Sequence, residues 1–220
     1  MSSDAPGRTG RVALAAAVAL IVLAGCNDMT LLRAKSDYFP LISGSRWTYD
    51  VAGNAAVDSV AGDSAIDDRA CIVVLRDYSP EYWTKAATEA RKLTRLTVIR
   101  EGQEYTIEER YGLVYELPFV LGATWSESFC DTVVLMGTDT VKLNDSLAGR
   151  VAAIDSVATP AGTFIQCYRV DTYRDIKTVE PSDTTDSLLV YSEWLAPGVG
   201  LVKRVTGTET RVLTAYEPGS

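Results

Sequence analysis

Carboxylates are the most abundant reactive groups, 29 aspartates and glutamates against 21 lysines and arginines. Two carboxyls flanking a sugar linkage could hydrolyse it, one as acid and the other as base or nucleophile. With so many present, some pair in some cleft is inevitable, so their number alone does not point to hydrolysis. The stretch DSVAGDSAIDD, residues 58–68, gathers Asp58, Asp63, Asp67 and Asp68 in a segment that reads as a loop. Calcium takes oxygen ligands of this kind, but the spacing misses the EF-hand alternation with its fixed glycine and closing glutamate. It reads as a solvated acidic turn, and PSDTTDS at 181–187 as a weaker one, so no metal site is assigned.

The chain has no histidine. That removes Ser-His-Asp and Cys-His catalysis, imidazole-ligated zinc or haem, and imidazole acid–base chemistry near neutral pH. Nucleophile-elbow, Ser-x-x-Lys, phosphate-loop and dinucleotide-binding motifs are also missing. No catalytic residue and no cofactor is assigned. Four tryptophans and eleven tyrosines could stack sugars or line an apolar trough. Trp47 and Trp125 open apolar runs and read as core. Trp83 and Trp194 are the candidate ligand-contact aromatics, with Trp83 expected to be the more exposed.

Of the four cysteines none lies in a C-x-x-C pair, which argues against zinc and thioredoxin-like chemistry. Cys71, in CIVVL, reads as a reduced core residue. Cys130 and Cys167 are left as the expected disulfide pair, with three buried thiols as the alternative.

Cys26 stands apart. Arg8 and Arg11 precede 13 consecutive apolar residues, Val12 to Ala24, a run shorter than the roughly 20 a membrane-spanning helix needs. A basic start, a short apolar run and small residues at its end describe a secretory leader. Leu23-Ala24-Gly25-Cys26 resembles the bacterial lipobox. The resemblance implies cleavage between Gly25 and Cys26, a diacylglyceryl thioether on the Cys26 sulfur, and acylation of its new amine. Two or three acyl chains make attachment stable where one is marginal. Asn27, which is not acidic, favours the outer over the inner membrane. The expected partners are the membrane, through this lipid, and a hydrophobic ligand or an envelope protein. Without the leader the formal charge moves from −8 to −9, which offers no footprint for nucleic acid.

The elements that must position these groups read as strands. Residues 1–25 form the signal peptide, 26–37 the lipidated N-terminus and tether, and 38–220 a single β-rich domain. From Tyr38 onward, short runs of Val, Thr, Tyr, Ile and Leu recur about every ten residues between Gly, Asp and Asn. One helix is expected in SPEYWTKAATEARK, where Ser79 could cap and Pro80 suits the first turn. FPLISGSRWTYD and LPFVLGATWSES share Pro-x-x-x-Gly-x-x-Trp, through Pro40, Gly44 and Trp47 and through Pro118, Gly122 and Trp125. Proline would sit before a strand, glycine would make the bend, and tryptophan would start the strand with its ring on the core. TPAGTF and APGVG read as type I and type II turns.

YFPLISGSRWTYD, TPAGTFIQCYRV and EWLAPGVGLVKR together resemble an uncharacterised set of β-rich bacterial envelope lipoproteins. That resemblance implies a secreted β domain and carries no activity. The expected fold is mainly β: one antiparallel, strongly curved sheet, a half-barrel or a barrel of about ten strands. A two-sheet sandwich is the alternative. The expected function is a non-catalytic binding or interaction module of the cell envelope, with a carboxylate-dependent hydrolase as the alternative.

Overall fold

The computed structural model describes residues 37–100, 102–134, 140–179, 184–207 and 209–220. Gly25 and Cys26 lie outside them. Twelve strands follow one another: β1 (Arg46–Val51), β2 (Asn54–Ile66), β3 (Arg69–Arg76), β4 (Ser79–Lys85), β5 (Glu89–Arg100) and β6 (Gln103–Glu116); then β7 (Thr124–Val134), β8 (Thr140–Thr159), β9 (Gly162–Val179), β10 (Thr184–Ala196), β11 (Gly200–Thr206) and β12 (Glu209–Glu217). They form one antiparallel sheet in the order β6-β5-β4-β3-β2-β1-β12-β11-β10-β9-β8-β7. The expected curved single sheet is what forms; no second sheet is present among the described residues.

Every strand except β6 and β7 pairs with the strand that follows it, and β1 pairs with β12, so the chain is two up-and-down meanders joined through β1 and β12. Three of its hairpins turn on two residues with positive φ at both positions: Ala52-Gly53, Asp67-Asp68 and Asp77-Tyr78. This is the turn whose twist matches that of the flanking strands. The ladder is interrupted between β6 and β7, where side chains bridge the gap. The Trp125 indole N–H donates to the Val114 carbonyl at 3.0 Å, and the Glu127 carboxylate accepts from the Leu113 amide at 2.8 Å.

The Pro-x-x-x-Gly-x-x-Trp repeat is a repeat in three dimensions. Gly44 donates to the carbonyl of Val60 and Gly122 to that of Val151, both at 2.9 Å, and both glycines have φ above 80°. Ser45 donates to Ile42 and Ala123 to Val120, closing the same tight bend. Trp47 and Trp125 are both buried. One copy of the motif opens β1 and the other opens β7, so each introduces six strands. The type II turn at Ala196-Pro197-Gly198-Val199 also forms, with Gly198 at φ 71° and Val199 donating to Ala196.

Two expectations fail. SPEYWTKAATEARK is no helix: β4, a turn closed by the Ala86 amide on the Glu89 carbonyl, and the start of β5 occupy it. Helical spacing of Tyr82, Ala86 and Ala90 loses to a ladder that sets Trp83 against Ile72 on one side and Lys92 on the other. Nor is DSVAGDSAIDD a solvated loop. Residues 58–66 belong to β2, and only Asp67 and Asp68 turn.

The core fills one end of the concave face. Trp47, Tyr49, Val60, Val74, Trp83, Tyr115, Trp125, Val151, Val170, Leu195, Val202 and Leu213 form one apolar cluster. The segment before β1 plugs it: the Phe39 ring lies 4.9 Å from Trp83 and 5.1 Å from Tyr115, and Tyr38 lies 4.7 Å from Tyr168. Lys85 fixes the plug by donating to the Asp37 carboxylate and the Phe39 carbonyl at 2.6 and 2.7 Å. A second, smaller cluster of Val141 and Leu143 with Leu96, Tyr105, Phe129 and Ile176 lies further along the strands.

Candidate binding site

Between the two apolar clusters the same face carries charge. Side chains alternate across a strand, so residues two apart share a face. On β7 that face reads Trp125, Glu127, Phe129. On β9 it reads Val170, Thr172, Arg174, Ile176, and on β5 Ala90, Lys92, Thr94, Leu96. Shorter strands add Arg76 two residues beyond Val74, and Arg204 two beyond Val202. The result is a cavity of about 280 Å³, close to the lower edge of the roughly 300–1,000 Å³ typical of small-molecule sites. Its wall includes Arg76, Lys92, Arg110, Arg174 and Arg204, against the carboxylates of Glu127 and Asp145, with Tyr191 contributing a phenol.

Carboxylates at the wall and beneath it hold the cations in place. Arg174 makes a two-pronged pair with Asp145, Nε to Oδ1 at 2.9 Å and Nη2 to Oδ2 at 2.7 Å. Glu193, 1 % exposed, takes Arg204 on Oε1 and the Tyr115 hydroxyl on Oε2 at 2.5 Å. Glu127 joins Arg110 and Arg91, the latter at 2.7 Å. Asp58 accepts from Arg211 at 2.5 Å. Arg76 is held more loosely. Its Nε lies 3.5 Å from Asp58 and its Nη1 3.6 Å from Glu81, and the buried Nε–H makes no hydrogen bond.

Burial and pairing set the protonation states. Burial pushes the Glu193 carboxyl up, but Arg204 and the Tyr115 hydroxyl outweigh it and leave the pKa below the usual glutamate value. Glu81 is lowered in the same way by Arg76 and Lys92, and Glu127 by Arg91, the Leu113 amide and Arg110. Burial lifts the Tyr191 phenol to about 12, with the Glu193 charge adding to it. Lys92 is lowered by burial, against the pull of Glu81; the like charges of Arg76 and Arg204 add smaller lowering contributions.

The residues singled out from sequence are scattered. Trp83 is 3 % exposed, not a surface platform; it lies in the core, donating to Glu81 at 3.1 Å with the Lys92 ammonium 5.6 Å from its ring. Trp194 is half-buried, on the opposite strand face from Glu193, where it donates to Asp155 at 2.8 Å beneath the Lys203 ammonium. Cys71 is a buried free thiol. The expected Cys130–Cys167 bridge does not form. Both are free, and they flank β8 at Asn144 and Asp155, eleven residues apart. At about 3.4 Å per residue that is tens of ångströms, against the roughly 7 Å a disulfide spans.

An apolar pocket beside Phe39, Pro40, Trp47 and Trp83 holds about 40 Å³, room for little more than a water. Among the described residues no group of three or more aspartates, glutamates or cysteines is placed to hold a metal.

A family model described as DUF3108-like matches residues 129–216, from late β7 to β12. No curated protein matches. Among solved structures, a candidate lipoprotein of Parabacteroides distasonis is 15 % identical, with a TM-score of 0.40, covering 82 % of this chain and 98 % of its own. A candidate exported protein with a YmcC-like fold from Bacteroides fragilis is 13 % identical, with a TM-score of 0.32, covering 81 % and 98 %.

Proposed function

We propose that the chain is a lipid-anchored binding module of the bacterial cell envelope, held at the outer membrane through Cys26, with the charged cavity as its ligand seat and no catalytic role. The cavity carries this reading. Charges taken out of water need costly pairing, so a buried charged tier on a sheet face calls for a reason. Here a tier between two apolar clusters carries four arginines, a lysine and their carboxylates, beside Leu113, Val114, Leu147 and Leu189, around open space.

Hydrolysis draws no support from the same groups. Glu127 is held ionised by its guanidinium partners, which suits a cation's counter-ion and not a proton donor. The resemblance of Leu23-Ala24-Gly25-Cys26 to a lipobox supports anchoring, as does an apolar run of 13 residues, shorter than a membrane-spanning helix needs.

Purification of the native chain from membranes, followed by mass spectrometry under denaturing and native conditions, tests both halves. The expected result is a mature N-terminus at Cys26 bearing diacylglyceryl, and a small molecule retained only in the native spectrum. An unlipidated Cys26 would contradict the anchor; a native mass equal to the denatured mass in every preparation would contradict the binding role.

A further inference from the structure

We infer that the cavity between the two apolar clusters is a seat for a phosphate-bearing small molecule, bound by Arg76, Lys92 and Arg204 with Arg110 and Arg174 beside them. The inference rests on the binding-module reading above and specifies its ligand. It starts from a contrast in charge. The chain as a whole is strongly acidic, at −8, yet the cavity wall sets five cations against two carboxylates, with Asp58, Glu81 and Glu193 behind them as partners. The clusters on either side of the tier are apolar, so the cations are gathered at the open space between them.

The pairing pattern narrows the ligand. Arg174 and Arg204 already spend two donors each on carboxylates. A single carboxylate on a ligand would therefore repeat what Asp145 and Glu193 supply. A phosphate differs: it brings up to two negative charges and three acceptor oxygens. It could be shared among several cations at once, which guanidinium geometry favours.

Arg76 is the member with most to gain. Its two ion pairs are long, the one to Asp58 running through a buried Nε–H that makes no hydrogen bond, and it lines both this cavity and the apolar pocket below. Beside it the Lys92 ammonium is lowered by burial, with the Glu81 carboxylate 3.2 Å away. A dianion between Arg76, Lys92 and Arg204 would offer acceptor oxygens to all three.

The phosphate could be free, on a soluble metabolite, or part of a lipid headgroup. Titrations of the full lipidated chain in neutral detergent separate these, using inorganic phosphate, glycerol 3-phosphate and, in a third arm, phosphatidylglycerol in mixed micelles. Saturable binding of either soluble probe, absent with chloride at matched ionic strength, is the expected outcome. Lipid competition in the third arm would assign the phosphate to a headgroup, and failure to compete would assign it to a soluble molecule. Arg76→Gln with Lys92→Gln should weaken binding by at least about tenfold. The far-ultraviolet circular dichroism spectrum should stay unchanged. If the double variant does not fold, Arg76→Lys alone serves, since it keeps the charge and loses the fork, and it should weaken binding severalfold. No saturation with any phosphate probe up to about 10 mM, or undiminished binding in folded variants, would overturn the inference. A neutral or apolar molecule recovered by native mass spectrometry would overturn it too while leaving the binding module intact.

Discussion

Glu193 joins the two halves of the sheet at one atom pair, taking Arg204 from β11 on one oxygen and Tyr115 from β6 on the other. Removing one member of a buried ion pair strands its partner, a loss of about 3–5 kcal/mol. Glu193→Gln should therefore cost on that order in urea unfolding, whereas Glu193→Leu with Arg204→Met should cost less than either single change. The pH dependence has a fixed sign. Glu81, Glu127 and Glu193 have folded pKa values below 4.5, so they favour folding fully above that pH, and the gain disappears as pH falls through the folded values. Asp58 runs oppositely: burial raises it despite Arg76 and Arg211, so its ionisation opposes folding as pH rises. Asp175, raised beside Asp186, acts with Asp58; with three lowered carboxylates against these two, the unfolding midpoint should drop as pH falls below about 4.5. Glu193→Gln should flatten the slope.

At the scale of elements, the strands, most of the turns and the paired tryptophan motif were legible in the sequence because each rests on local chemistry. Gly44, Gly122 and Gly198 occupy backbone angles that disfavour side chains, and Trp47 and Trp125 follow their glycines by three residues. The helix expected at 79–92 shows the limit. Capping and spacing there fit one turn of α-helix, but the burial of Trp83 against Ile72 is a long-range fact. The charged tier was also written in the sequence, as Trp125-x-Glu127-x-Phe129 and Val170-x-x-x-Arg174-x-Ile176. What the sequence withheld was which face turns inward, so Glu127 and Arg174 were not singled out. Asp58 was placed in a solvated acidic turn for the same reason, whereas it is buried on β2.

The seam between β6 and β7 belongs to this scale too. A Cβ at position 149 would lie 2.2 Å from the Trp125 ring, whose N–H bridges to Val114. Gly149→Ala must push that ring away, and overpacking of this kind costs about 1–3 kcal/mol. The expected outcome is a lower unfolding midpoint with faster amide exchange in β6 and β7 than in β1 and β12. Equal exchange in both pairs would mean the side chains do not hold the seam.

For the molecule as a whole, two six-strand meanders introduced by the same motif close on each other unequally. β1 meets β12 through a full ladder, and β6 meets β7 through Trp125 and Glu127. Along the concave face the protein is layered: an aromatic plug and apolar core at one end, a charged cavity, then a second apolar cluster. The layers explain how an acidic chain without histidine can still gather five cations around one cavity, each held by a carboxylate partner. They also place the cavity where a ligand would touch both halves. Titrating inorganic phosphate into the labelled chain and following arginine Nε–H signals by nuclear magnetic resonance tests this most directly. The layered cavity requires the largest, saturating shifts at Arg76 and Arg204, with exposed Arg46 and Arg150 hardly moving; shifts that grow without saturation at the exposed arginines while the inner ones stay still would contradict it.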